Sequence, residues 1–292
     1  MLLLPFSKNL VEIMNVRQGS YRYDSFEEQI QAQELERLYH QASSLLDVER
    51  QLWTELNIRA GQKILDVGCG SGITTRELAK QFCSSKIVGL DISRALLEKA
   101  GLYADETIDN QEIYQKKQNL EFEEGSVYDL PFSNHSFDIV YSRLLFQHLN
   151  EPSEALSNIW RVLKPGGQIC IVDVDKGWSG FYPEPDTSSV LDRAVIERQL
   201  AKCCDPWVGR KLGYYLKSAG FTRVKTKVTL IDSNQLGLAN FFRMLSVESS
   251  SQLETDELAP LRKQAISDMQ DLLNDPNAWA GLGLFLVIGY KD

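Results

Sequence analysis

The chain has 292 residues, 43% of them hydrophobic and 24% charged, with a formal net charge of −9. That length and balance suit one large α/β unit carrying a helical subdomain. The negative charge argues against a nucleic-acid partner, since a phosphate backbone would be repelled at long range, and no apolar run reaches the length that spans a bilayer.

In chain order, residues 1–24 read as an irregular arm with a Tyr21-Arg22-Tyr23 cluster. Its opening MLLLPF is too short for a signal-peptide core and has no basic residue before it. Ser25 with Glu28 three residues on reads as a capping box. It opens a helix through Leu35, Leu38, Ala42, Leu45 and Leu46 to about Leu56. An alternating series follows: strand 63–67, helix 72–82, strand 86–91, helix 94–103, strands 120–124 and 137–142, helix 153–163 and strand 168–173. Such alternation implies a parallel sheet with right-handed crossovers. Past Asp173 the pattern breaks. The segment from Gly177 to Pro183 reads as an aromatic loop, and Ser189-x-x-Asp192 starts a helix to about Lys202. A helix over 209–218 ends at Gly220, where a glycine suits a C-cap. Strand 222–230, a helical excursion over 235–274 and a last strand 282–290 complete the chain. Arg223, Lys225 and Lys227 alternate along strand 222–230 and read as its solvated face.

The segment Ile64–Gly72, ILDVGCGSG, carries the chemistry. An apolar strand runs into Gly68, Gly70 and Gly72, where backbone N–H groups can approach a ligand without a Cβ in the way. The next strand, KIVGLD, ends in Asp91, whose two oxygens suit a ribose diol. A nucleoside-bearing ligand is therefore expected across two adjacent strand ends. A dinucleotide would also place an acid about twenty residues past the glycines. Against it, Asp66 precedes the first glycine, where its charge would oppose a pyrophosphate, and the spacing is G-x-G-x-G.

Two further blocks, GSVYDLPFSNHSFDIVYSRLLFQHL (Gly125–Leu149) and VLKPGG (Val162–Gly167), follow in order. With them the chain resembles the class I S-adenosylmethionine-dependent methyltransferases, nearest the branch of ubiquinone/menaquinone-type and many small-molecule enzymes. The resemblance runs from about Ile58 to Phe221. It implies a Rossmann-like α/β fold: a mostly parallel seven-stranded sheet with an antiparallel last strand, an N-terminal helical arm and a helical cap. The corresponding division is an arm and helix over 1–57, a cofactor-binding core over 58–176, a cap over 177–208 and completion of the core over 209–292, with the insertion at 235–274.

The resemblance implies S-adenosyl-L-methionine as cofactor. Gly68 and Gly70 would contact its amino-acid part, with Asp66 holding the ligand loop in which Cys69 lies; Asp91 would hold its ribose, and Ile92 would cover a face of its adenine. Ser126 and Val127 would lie at the adenine rim, where the family commonly has an acid in place of Ser126. Ser142 and Arg143 would lie beside the methionine moiety, and Tyr21 could close over the cofactor. His148 matches a position often histidine in this branch; it and Asp173 are the candidates for a catalytic base, with Asp175 beside them, while packing is the competing role for His148. His135, in a polar turn, reads as solvated, and His40 lies on the first helix. Trp178, Phe181, Tyr182, Trp207, Phe241 and Phe242 lie outside the common core and could line a pocket for an apolar or aromatic acceptor, or pack the cap. The five cysteines lack metal-ligand spacing, so no metal is expected and the thiols read as reduced.

The expected activity is methyl transfer by direct displacement to a small-molecule acceptor, oxygen first and then nitrogen or carbon. A cytoplasmic monomer or homodimer is expected, without a membrane span or nucleic-acid partner. Non-methyl chemistry on a retained cofactor, a non-catalytic regulator and a protein-methylating enzyme are the alternatives. Stoichiometric S-adenosylhomocysteine separates the first two from a methyltransferase, and a long acidic groove would mark the third.

Overall fold

The computed structural model describes residues 21, 23–106, 119–201, 204–245 and 259–292. Most of the expected arm (1–20 and Arg22), the helix end at Lys202, Cys203 and residues 246–258 of the helical excursion lie outside the described residues.

Seven strands form one sheet: β1 (Lys63–Val67), β2 (Lys86–Asp91), β3 (Leu120–Glu124), β4 (Phe137–Arg143), β5 (Leu163–Tyr182), β6 (Thr222–Asp232) and β7 (Trp279–Tyr290). Their order is β3-β2-β1-β4-β5-β7-β6. The first five run parallel, and β7 is inserted antiparallel between β5 and β6. This is the Rossmann-like arrangement with an antiparallel last strand that the sequence leads one to expect.

Nine α-helices are described: α1 (Glu28–Trp53), α2 (Ile73–Gln81), α3 (Arg94–Glu106), α4 (Pro152–Val162), α5 (Ser188–Ala201), α6 (Leu212–Ser218), α7 (Ser233–Leu236), α8 (Leu238–Met244) and α9 (Ala259–Asn274). Alternation along each strand splits the core in two. Leu65, Val67, Leu90, Val140 and Ile171 share one cluster with Leu156 and Ile159 of α4 and Leu212 and Leu216 of α6. Ile64, Ile87, Ile139 and Tyr141 share the other with Leu45, Leu52 and Trp53 of α1, Leu78 of α2 and Phe241 and Met244 of α8. The N-terminal helix is thus a wall of the core.

Several boundaries differ from expectation, and three of the differences have a local physical cause. Ser25 is not the helix cap: Tyr23–Ser25 form a 3₁₀ turn and Glu27 occupies the N-cap position without a side-chain bond. Gln31 supplies the local bonds instead, its Nε2 donating to the carbonyl of Phe26 at 3.0 Å while its own carbonyl accepts from the Tyr23 hydroxyl at 2.9 Å. Second, the stretch Gly177–Tyr182 is strand rather than loop. β5 shifts register between Val174 and Ser179, and then Ser179–Tyr182 pair with Leu282–Trp279 of β7. A long-range ladder overrides the local glycine signal there. Third, the excursion begins at Ser233 because Asp232 caps α7, accepting from the backbone N–H groups of Asn234 and Gln235.

Arg223, Lys225 and Lys227 lie exposed on the edge strand β6. Arg223 pairs with Asp292 at 3.0 Å and Lys227 with Glu55 at 2.5 Å.

Trp53, 1% exposed, packs edge-on against Phe82 and against Tyr141 of β4. Trp53→Ala should therefore cost about 3–5 kcal/mol of stability, measured by denaturant unfolding, with the far-ultraviolet spectrum of the folded state retained.

Candidate active site at the carboxyl edge of the sheet

The turn after β1 is held from the neighbouring strand. Gly68 and Cys69 donate their backbone N–H groups to the Leu90 carbonyl at 2.7 and 3.0 Å. Gly70 donates its N–H to Asp91 Oδ2 at 2.7 Å, and Ser93 donates to Oδ1 at 2.9 Å. Gly72 adopts φ +70°, and a Cβ there would approach Phe122 to 2.6 Å, so glycine is required on both counts. At Gly70 nothing comes nearer than Leu96 at 4.0 Å, leaving backbone open to a ligand. Burial pushes the Asp91 carboxyl up while its backbone donors hold it down. Each oxygen keeps a lone pair for a hydroxyl.

Asp66 is buried on β1 and accepts from the Thr75 hydroxyl of α2 at 2.6 Å. Burial raises its carboxyl to about 7, Thr75 opposing and the charge of Glu49 adding. Cys69, beside it, has a thiol pushed up by burial and by the charges of Asp91 and Asp66, which leaves it a weak nucleophile.

At the end of β4, Ser142 is fully buried with no partner for its Oγ among the described residues. Arg143 turns toward α1. Its Nε donates to Glu49 Oε1 and its Nη2 donates to the Gln41 carbonyl at 3.3 Å. Glu49 was not anticipated, although it interrupts the apolar stripe Leu45, Glu49, Leu52 at helical spacing. That interruption is the signal that could have found it.

Tyr21 donates its hydroxyl to Glu34 Oε1 at 2.7 Å, and Arg37 holds Glu34 with two bonds of 2.8 and 2.7 Å. Burial, with Glu34 beside it, raises the phenol well above its usual range. The segment is tied to the loop after β2, since Ser93 Oγ donates to Asp24 at 2.5 Å. The Tyr21 ring lies 5.4 Å from the His148 ring, tilted by 41°.

His148 ends a 3₁₀ turn, Phe146–His148. Asp173 supports that turn from β5: fully buried, it accepts from the Gln147 N–H at 3.2 Å and from the Val174 N–H at 2.8 Å. Burial raises its carboxyl to about 7 against those donors. Asp175 is committed elsewhere, to Arg210, whose Nε and Nη2 each donate at 2.6 Å. Burial acts to raise Asp175, but the Arg210 bonds hold it below its ordinary range.

Beyond Asp91, Ile92 is 43% exposed, an apolar surface beside the ribose acid. Ser126 bridges Asp129, and its Oγ accepts from the Tyr128 N–H at 3.2 Å, so this hydroxyl is used in its own turn. Val127 is buried.

The six aromatics do not converge on one cavity. Phe181 stacks on buried Phe242 at 5.8 Å, with Phe241 next to it, in the cluster that faces α1. Trp178 lies over Gly283 and packs edge-on against Phe285, whose ring also abuts Gly209. Residues 280, 282 and 284 of β7 belong to the α1 cluster, so Phe285 and Trp178 occupy the opposite face. Trp207 is half-buried, and Tyr182 is 72% exposed.

A strand-glycine-helix turn, an acid ending the next strand and a seven-stranded sheet of this order together define a class I S-adenosylmethionine-dependent methyltransferase fold. Residues 65–171 match the family described as a methyltransferase domain. Residues 65–171 are thus similar to a methyltransferase domain, and the match and the fold together support S-adenosylmethionine as the cofactor. The chain is similar to an uncharacterized methyltransferase of Schizosaccharomyces pombe, with 36% identity over 53% of this chain and 55% of that one. It is also similar to a trans-aconitate 2-methyltransferase of Deinococcus radiodurans, with 33% identity over 46% of each. The chain spans about half the length of the curated relatives it matches. Among solved structures, a phosphoethanolamine N-methyltransferase of Haemonchus contortus with S-adenosyl-L-methionine has a TM-score of 0.58 at 17% identity, covering 94% of this chain and 60% of that one.

The remaining lone pairs of Asp91 and the space beside Gly70 fit a nucleoside cofactor, whereas the N–H groups of Gly68, Cys69 and Gly70, expected to face the ligand, are spent on Leu90 and Asp91. Among the described residues no group of His, Cys, Asp or Glu is arranged to hold a metal ion.

Asp173 also makes folding pH-dependent. An unfolded aspartate titrates near 4, so the stability from the protonated native form is full below that pH and lost as pH rises to about 7. Between pH 5 and pH 8 the wild-type protein should lose about 2–3 kcal/mol relative to Asp173→Asn, read from urea unfolding at each pH.

Proposed function

We propose that this chain transfers a methyl group from S-adenosylmethionine to a small-molecule acceptor by in-line displacement. Oxygen is the leading acceptor, then nitrogen or carbon. The observation that carries the reading is the cradle of Gly70 and Asp91, joined by the Asp24–Ser93 bond to the segment before α1. The relative from Deinococcus radiodurans, named for a small acid, supports the same class of acceptor.

When bound, S-adenosylmethionine supplies a methyl group that is already electrophilic. What remains for the chain is to bind, align and exclude water. Asp91 holds the ribose, the glycine turn and Arg143 hold the amino-acid end, and Ile92 and Val127 flank the adenine. Tyr21, braced by Glu34 and Arg37, covers the site. The acids nearest the sheet edge are engaged: Asp173 by backbone N–H groups and Asp175 by Arg210. An acceptor that ionises by itself, such as a carboxylic acid or a phenol, suits such a site. Its recognition falls to the face that carries Trp178 and Trp207, with His148 packed and orienting. Among the described residues Cys69, Cys83 and Cys170 form no disulfide, which supports a cytoplasmic setting. A monomer or homodimer without a nucleic-acid partner completes the proposal.

The test is turnover of labelled S-adenosylmethionine with a panel of carboxylic acids, phenols and amines. Methylated product and S-adenosylhomocysteine should form one for one; cofactor binding with no S-adenosylhomocysteine on any acceptor would sink the reading. Asp91→Ala should weaken cofactor binding by about 1.5–3 kcal/mol, the range for hydrogen bonds to a charged group, with calorimetry as the measure. His148→Asn should lower kcat by less than about tenfold; a loss of about 10²–10⁴-fold would make it the general base.

A further inference from the structure

The N-terminal helix places a charged group against Arg143 from outside the segment matched to the methyltransferase domain. Glu49 is fully buried, on the stripe of α1 that also carries Leu45, Leu52 and Trp53. One oxygen accepts from Arg143 Nε; the other has no hydrogen-bond partner among the described residues, nor has the Tyr141 hydroxyl or the Trp53 Nε1. Tyr141 and Thr74, the latter in the first turn of the helix that follows the glycines, lie close enough to Glu49 to favour its charged form. Asp66, Tyr141 and Arg143 occupy neighbouring positions on one face of the sheet, Asp66 in register with Tyr141. The pair therefore sits beside the start of the glycine turn. Helix packing alone does not call for it, because a buried ion pair is commonly matched or bettered by apolar residues of the same volume. Arg143 spends Nε on Glu49 and Nη2 on Gln41, which leaves Nη1 without a hydrogen-bond partner among the described residues.

We propose that Glu49 is a positioning residue for the amino-acid end of the cofactor, fixing the Arg143 guanidinium so that its open nitrogen meets a carboxylate. Charge-assisted bonds of this kind are the stronger ones and favour an ionised carboxylate over a neutral group. The inference rests on the placement of that cofactor end beside Arg143.

The experiment compares two nucleosides by calorimetry: S-adenosylhomocysteine, which carries the amino-acid end, and 5′-methylthioadenosine, which lacks it. In Glu49→Gln the first should weaken by tenfold or more while the second stays within twofold, a split that a merely structural role would not produce. Thermal unfolding checks that the variant folds. Because Gln could leave Arg143 uncompensated and the protein unfolded, the double variant Glu49→Leu/Arg143→Leu removes both charges together and should show the same split. Equal weakening of both nucleosides, or S-adenosylhomocysteine binding within twofold of wild type in either folded variant, would overturn the proposal. Wild-type protein that binds methylthioadenosine as tightly as S-adenosylhomocysteine would instead refute the placement of the amino-acid end, and Glu49's role with it.

Discussion

The guanidinium of Arg143 stands at the end of β4 among three carboxyl groups taken out of water. Glu49 is bonded to it, and its charge also favours the ionised forms of Asp66 and Asp173. A buried charge is tolerated only when paired or neutralised. Here both solutions occur: Glu49 is paired, whereas Asp66 and Asp173 are left close to neutral protonation, with hydrogen bonds from Thr75 and from backbone N–H groups. The edge of the sheet thus carries acids whose charge can follow that of a ligand, without the cost of several fixed anions in one apolar wall.

That arrangement ties the N-terminal helix to the end of β4. Its carboxyl half closes the core through Trp53 and Leu52 while Glu49 meets the sheet edge. Farther toward its start, Glu34 and Arg37 brace Tyr21, and Asp24 reaches Ser93 beside the ribose acid. One helix therefore links hydrophobic closure of the domain to the cover of the ligand loop. The same economy appears on β5, where Asp173 supports the His148 turn and Asp175, two residues on, anchors Arg210 before the strand shifts register.

The antiparallel extension of β5 and β7 decides where the aromatics go. Side chains alternate across a strand, so Trp178 and Phe181 fall on opposite faces. Phe181, Phe241 and Phe242 close the side that faces α1, while Trp178 packs on Phe285 on the opposite face. Aromatics gathered as one group in the sequence are thus divided between the two faces of the sheet.

Local chemistry was enough for the strand-glycine-helix turn, for Asp91 and for the alternation that makes the sheet parallel, because each depends on residues close in sequence: apolar runs, φ-positive glycines, an acid at a strand end. The bounds of β1, β2 and β3 follow from the same short-range pattern. The extension of β5, the partners of Arg143 and Tyr21, and the burial of Asp173 were illegible there. They join residues such as Glu49 and Arg143, or Ser179 and Leu282, that lie about a hundred positions apart. A charged residue in an apolar helical stripe hints that a partner exists, but which one is settled when the helix docks and desolvation forces the choice.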